Sequence, residues 1–144
     1  MFEVILFRPE IPPNTGNIIR LCANTGAGLN LVGPLGFTLD DRQLRRAGLD
    51  YHEWARVREH ASLADCLAAL GGPPLWAFST RAAGAFRGAR FAPGDAFLFG
   101  AETAGLPDGV LAEIPGERRL RIPMQPGSRS LNLSNAVAVV VYEA

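Results

Sequence analysis

Ile122-Pro123-Met124, then Pro126-Gly127-Ser128-Arg129-Ser130-Leu131-Asn132-Leu133-Ser134-Asn135, then an apolar run to Val141: this stretch decides how the chain is read. A turn rich in proline and glycine and a polar loop lead straight into a helix. Ser130 and Asn132 stand at the mouth of that helix, where the first backbone N–H groups lack partners within the helix. Leu133, Ala136, Val137, Val140 and Val141 recur at helical spacing, so the helix is expected to pack into a core. A polar loop joined to a buried helix suggests a binding site on a rigid scaffold. An ordinary capped helix would show the same local pattern.

Upstream of this stretch, strand and helix patterns alternate. Strands are predicted at 2–7, 30–32, 57–59, 75–79, 96–99 and 120–122, and helices at 14–25, 40–47, 62–70, 107–112 and 132–143. Asn14 and Ser62 read as N-caps, Gly26 and Gly71-Gly72 as stops, and Pro107 as a first-turn residue. The alternation predicts an α/β fold with a largely parallel sheet flanked by helices. Ligands of such sheets bind beyond the carboxyl ends of the strands. Small, polar or turn-forming residues follow three of those ends, at Ser79-Thr80, Gly100-Ala101-Glu102 and Pro123 onward. Neither a G-x-G-x-x-G fingerprint after the first strand nor a Walker sequence is present, which disfavours an ordinary nucleotide site.

The 144 residues predict a single domain spanning 1–144. With 48% hydrophobic and 19% charged residues the chain has the composition of a compact soluble protein. No apolar run reaches the roughly 18–20 residues of a membrane span. Met1-Phe2-Glu3-Val4 lacks the basic start of a signal peptide, so a cytoplasmic protein is expected. Cys22 falls on the apolar stripe of the first helix and Cys66 in an Ala/Leu segment, so both read as small core residues. His52 and His60 lack metal-ligand spacing, and no metal is expected. Net charge is zero, yet the basic residues are all arginine. Arginine is suited to bidentate phosphate contacts and base stacking. Clusters at Arg42/Arg45/Arg46, Arg81/Arg87/Arg90 and Arg118/Arg119/Arg121 are solvated faces by default, but they can also give one face of a neutral protein a basic character.

Two further segments share the character of the opening stretch: Ile11-Pro12-Pro13-Asn14-Thr15-Gly16-Asn17-Ile18-Ile19-Arg20-Leu21-Cys22-Ala23-Asn24-Thr25-Gly26 and Phe97-Leu98-Phe99-Gly100-Ala101-Glu102-Thr103-Ala104-Gly105-Leu106-Pro107. In this order the three blocks resemble motifs 1, 2 and 3 of the SPOUT superfamily of RNA methyltransferases, most closely the SpoU branch. Within that branch the chain resembles the small enzymes that methylate the ribose of the tRNA wobble nucleotide. The resemblance spans Phe2 to Glu143. It implies a C-terminal trefoil knot, which breaks the rule that chains do not thread loops. It further implies S-adenosyl-L-methionine as cofactor, a homodimer with its active site at or near the subunit interface, and 2′-O-methylation of tRNA in the anticodon loop. A methyltransferase of the same fold acting on ribosomal RNA, and a non-catalytic RNA-binding module, are the alternatives.

By the same resemblance, Asn14 and Arg20 match the motif 1 Asn and catalytic Arg and would face the RNA. Glu102 matches the motif 2 Glu, and Ser130 and Asn132 match the motif 3 pair, giving Arg20, Glu102, Ser130 and Asn132 as the catalytic set. Glu102 is expected to pair with Arg20 or to accept from the ribose. A basic residue often follows the motif 2 Glu by two positions; here Ala104 stands there. Cofactor contacts map to Phe78, Ser79, Gly100, Ile122, Met124, Ser130 and Leu131, with Phe78, Ile122 and Leu131 beside adenine. On helical spacing alone, Ile18, Leu21 and Cys22 form a buried stripe, while Asn17, Arg20 and Asn24 share the polar face.

Overall fold

Every second residue of the first strand points to a different core. In β1 (Glu3–Phe7), Val4 and Leu6 join one cluster of buried side chains, and Ile5 and Phe7 the other. A strand buried on both faces belongs in the middle of a parallel sheet, and the computed structural model places it there. It describes residues 1–38, 40–46, 48–122 and 132–144.

The elements run β1, α1 (Pro12–Thr25), β2 (Gly28–Val32), α2 (Asp41–Arg46), α3 (Tyr51–Trp54), β3 (Val57–His60), α4 (Leu63–Ala69), β4 (Leu75–Phe78), β5 (Gly84–Ala85), β6 (Ala96–Phe99), α5 (Asp108–Ala112), a 3₁₀ turn (Gly116–Arg118), β7 (Arg119–Arg121) and α6 (Leu133–Glu143). The sheet has seven strands in the order β3-β2-β1-β6-β4-β7-β5, paired in parallel throughout. Ile18, Ile19 and Cys22 of α1 and Leu133, Val137, Val140 and Val141 of α6 cover one face. Cys66 of α4 and Leu111 of α5 cover the other. Burying an aliphatic side chain of this size contributes about 1.5–3 kcal/mol, so α6 is held by its apolar stripe.

The sequence places most of these elements within a residue or two of where they lie. Three differences stand out. Asn14 is not an N-cap: α1 begins at Pro12, with Ile11 in the cap position. Prolines fit the first turn because their missing N–H would have no helical partner there. Helix α3 was not predicted, although Asp50 and Glu53 form a reciprocal capping box around it. The two-residue strand β5 is too short to leave a periodic signal; it exists through pairing of Gly84 with Leu120 and of Ala85 with Arg121. The knot expected in the C-terminal segment involves residues 123–131, which lie outside the described residues, as does Ala47 at the end of the second predicted helix.

Candidate active site

Beyond the carboxyl ends of β4, β6 and β7 lies a cleft of about 370 Å³. Phe99, Leu106, Ile122 and Leu133 supply apolar wall, and Ser79, Thr80, Asn14 and Asn132 supply polar groups. Gly100 is required where the cleft turns, because a Cβ there would overlap the peptide between Gly105 and Leu106. That close approach folds the loop after β6 back on itself, with Ala101 bridged to Gly105.

The three segments singled out in the sequence meet through one chain of hydrogen bonds. Glu102 accepts from the backbone N–H of Glu10 at 2.9 Å and of Ile11 at 2.6 Å. These donors lie at the entrance to α1, so a carboxylate from the β6 loop anchors the segment that leads into the helix. Asn14 is buried, and its Nδ2 donates to Glu102 Oε2 at 3.4 Å. Asn132 Nδ2 donates to Asn14 Oδ1 at 2.9 Å. The other end of Asn132 caps α6, its Oδ1 accepting from the Ser134 N–H at 2.9 Å. Asn14 thus joins loops with both ends of its amide, and Asn132 joins a loop with one end and caps α6 with the other.

Glu10 answers Glu102 from the opposite side. Its Oε1 accepts from the Thr103 hydroxyl at 2.7 Å and from the Thr103 N–H at 3.1 Å. These donors, the hydroxyl foremost, hold the Glu10 carboxyl below its usual range. Sequence reasoning missed Glu10 and Thr103. They sit 93 residues apart, and no local pattern announces the pair.

Arg20 lies elsewhere. Its Nε donates to Glu53 Oε2 at 3.0 Å and its Nη2 to the Gly48 carbonyl at 2.7 Å. The expected pairing with Glu102 is therefore corrected: Glu102 is committed to backbone donors and Asn14, and Arg20 is directed toward α3. Arg20 does sit with Asn17 and Asn24 on the exposed face of α1, as helical spacing predicts.

Ser79, Gly100 and Ile122 line the cleft. Phe78 borders it, but its ring stacks on Phe99 at 5.1 Å and belongs to the aromatic core with Phe86 and Phe97. Met124, Ser130 and Leu131 fall outside the described residues. In the sequence Arg81 stands out only as part of a charged cluster. It lines the cleft, pairs with Asp108 and donates to the Leu106 carbonyl, tying the loop after β4 to the loop after β6. Among the described residues no three His, Cys, Asp or Glu side chains converge as a metal would require, and no helix is long and apolar enough to cross a membrane.

The chain that builds this parallel sheet, with its cleft beyond the ends of β4, β6 and β7, matches a known family along almost its whole length. The chain belongs to the SpoU rRNA Methylase family, whose profile matches residues 1–142. It is 61% identical over 146 residues to a tRNA (cytidine(34)-2'-O)-methyltransferase of Burkholderia ambifaria, covering 100% of this chain and 94% of that protein. A solved structure described as giving structural insights into the 2-OH methylation of C/U34 on tRNA has a TM-score of 0.88 at 47% identity, covering 99% of this chain and 93% of that one. An AdoMet-bound rRNA methyltransferase from Sinorhizobium meliloti has a TM-score of 0.81 at 26% identity, over 99% of this chain and 54% of that one.

Proposed function

We propose that this protein transfers a methyl group from S-adenosyl-L-methionine to the ribose 2′-hydroxyl of cytidine or uridine at position 34 of tRNA. The observation that carries this reading is the hydrogen-bonded line Glu102–Asn14–Asn132, which joins three separate motif loops around one cleft. The cleft suits the cofactor. Its volume falls in the range of small-molecule sites, and its apolar wall lies beside hydroxyl and backbone groups. Glu102, an acid on its lining, is already engaged with backbone donors.

Bound cofactor supplies an electrophilic methyl group. The chain's own task is to hold donor and ribose in line. Ser79, Gly100 and Ile122 would hold the cofactor, together with Met124, Ser130 and Leu131. Asn14 and Asn132 set the loop positions, and Ser130 is assigned to cofactor or ribose by its motif. Arg20 acts by orienting RNA through phosphate or ribose contact. Because it points away from the cleft of its own subunit, it serves the site as part of a homodimer. Val139 and Tyr142, exposed on α6, offer apolar side chains for that association. The protein is read as one SPOUT domain over 1–144, with a C-terminal trefoil knot, working in the cytoplasm.

The test is methylation of total tRNA and of ribosomal RNA with labelled cofactor, followed by mass mapping of the modified nucleotide. Label at position 34 of tRNA is expected. Label confined to ribosomal RNA, or none in either, overturns the reading.

A further inference from the structure

The two segments 79–94 and 116–122 hold six arginines, at 81, 87, 90, 118, 119 and 121, against one carboxylate, Glu117. The fold puts both segments on one edge of the sheet, where β5 pairs with β7 and packs on the 3₁₀ turn. Three of these arginines are already engaged. Arg81 pairs with Asp108. Arg119 donates to the carbonyls of Ile114 and Ala112. Arg118 lies 5.9 Å over the Trp76 ring. Arg87, Arg90 and Arg121 are exposed, and among the described residues their guanidinium groups have no hydrogen-bond or ion-pair partner.

These three are also placed together. Ala85 is the sheet partner of Arg121, and the Phe86 N–H donates to the Arg121 carbonyl at 3.2 Å. The chain then turns, with the Ala89 N–H donating to the Phe86 carbonyl at 3.2 Å. Gly88 holds that turn at φ 91, a conformation costly for other residues. Arg87 and Arg90 flank Gly88 and Ala89, so little side chain stands between them. Arg121 is at once the end of β7 and part of the cleft lining. The cations therefore run from the sheet edge to the mouth of the cleft.

We infer that Arg87, Arg90 and Arg121 form a track for the phosphodiester backbone of RNA, which carries the substrate from the β5 edge to the cleft. This rests on the reading of the protein as a tRNA methyltransferase. Guanidinium groups match phosphate oxygens bidentately and keep their charge at every working pH. Phosphate contacts of this kind set position and register without reading sequence. The track also explains how a chain of zero net charge can bind a polyanion: the charge is unevenly placed rather than in excess.

The experiment compares wild-type protein with the double variant Arg87→Gln/Arg90→Gln, with Arg121→Gln, and with Arg58→Gln on β3 at the far end of the sheet. Binding of an unmodified tRNA transcript is measured across a salt series, alongside steady-state methylation. The double variant is expected to raise KM for tRNA more than it lowers kcat. It should also flatten the slope of log affinity against log salt by about two. Arg121→Gln should flatten it by about one, and Arg58→Gln should leave it as in wild type. A wild-type slope and KM in the double variant, with solubility alone changed, would make these arginines guards of a sheet edge and overturn the track. An equal effect from Arg58→Gln would reduce it to overall charge and overturn it too. Failure of the wild-type protein to methylate position 34 is a separate result and strikes the proposed function itself.

Discussion

Glu10 and Glu102 exchange places across the cleft wall. Glu102 accepts the backbone N–H of Glu10 at 2.9 Å, and Glu10 accepts the N–H and hydroxyl of Thr103, the residue beside Glu102. Each loop thus presents a carboxylate to the other's backbone. The loop before α1 and the loop after β6 are held at two points rather than one, and the cleft inherits that rigidity.

Replacing Glu102 with Gln should loosen this arrangement. An ionised acceptor is worth about 1.5–3 kcal/mol per hydrogen bond, and partial exposure lowers that toward about 1–2 kcal/mol in total. We expect a lower Tm together with weaker cofactor binding, read by thermal unfolding and calorimetry on the same preparation. Unchanged stability with lost activity would instead make Glu102 a direct ribose contact.

Asn14 and Asn132 should be energetically coupled. Asn132→Ala removes both an N-cap and the bond to Asn14, a loss of about 1–2 kcal/mol. In a double-mutant cycle with Asn14→Ala, the interaction energy should be about 0.5–1.5 kcal/mol. Additive losses in denaturant titrations would show that the 2.9 Å contact contributes nothing.

Arg20→Ala should abolish methyl transfer while leaving cofactor affinity nearly intact, because Arg20 lies outside the cleft lining. The salt bridge it gives up is half exposed, with the Arg20 side chain at 48%, so stability should fall by about 1 kcal/mol or less. Single-turnover methylation at saturating cofactor separates function from folding. A wild-type rate would leave Arg20 as the surface partner of Glu53 and nothing more.

Glu10 makes an acid-sensitive contribution. Its carboxyl lies below its ordinary 4.5 in the folded protein, because Thr103 donates to the ionised form. The stabilisation is therefore full above that ordinary value and is lost as pH falls through the lower folded value. The Tm gap between wild type and Glu10→Gln should be open above that ordinary value and should close as pH falls through the lower folded value. A gap independent of pH would point to packing instead of charge.

The thiols should be inert. Burial pushes Cys22 up to about 12 and Cys66 up to about 11, with the Glu3 carboxylate adding to both. Neither forms appreciable thiolate at about pH 8, so disulfide reagents should modify native protein slowly and denatured protein at once. Rapid labelling of native protein would mean that one of these helices opens.

The sequence by itself determined what is periodic or locally punctuated. Continuous apolar runs such as Phe97-Leu98-Phe99 specify a strand buried on both faces, and the stripe of Ile18 and Cys22 specifies which side of α1 is buried. Ser62 signals a helix start through a bond three residues away. The cleft loops were legible for a related reason: Gly100 and the residues after β4 and β7 sit at strand ends, where a parallel sheet opens. The partners of polar side chains were not legible. Asn14 has the composition of a cap, but a carboxylate 88 residues away and an amide 118 residues away claim it. Arg20 and Glu102 share motif status, yet the fold sends one to Glu53 and the other to the Glu10 and Ile11 backbone. Periodicity reports burial because burial repeats along the chain. A hydrogen bond between distant loops repeats nothing, so only the tertiary structure, by bringing the β1 and β6 loops side by side, decided which groups meet.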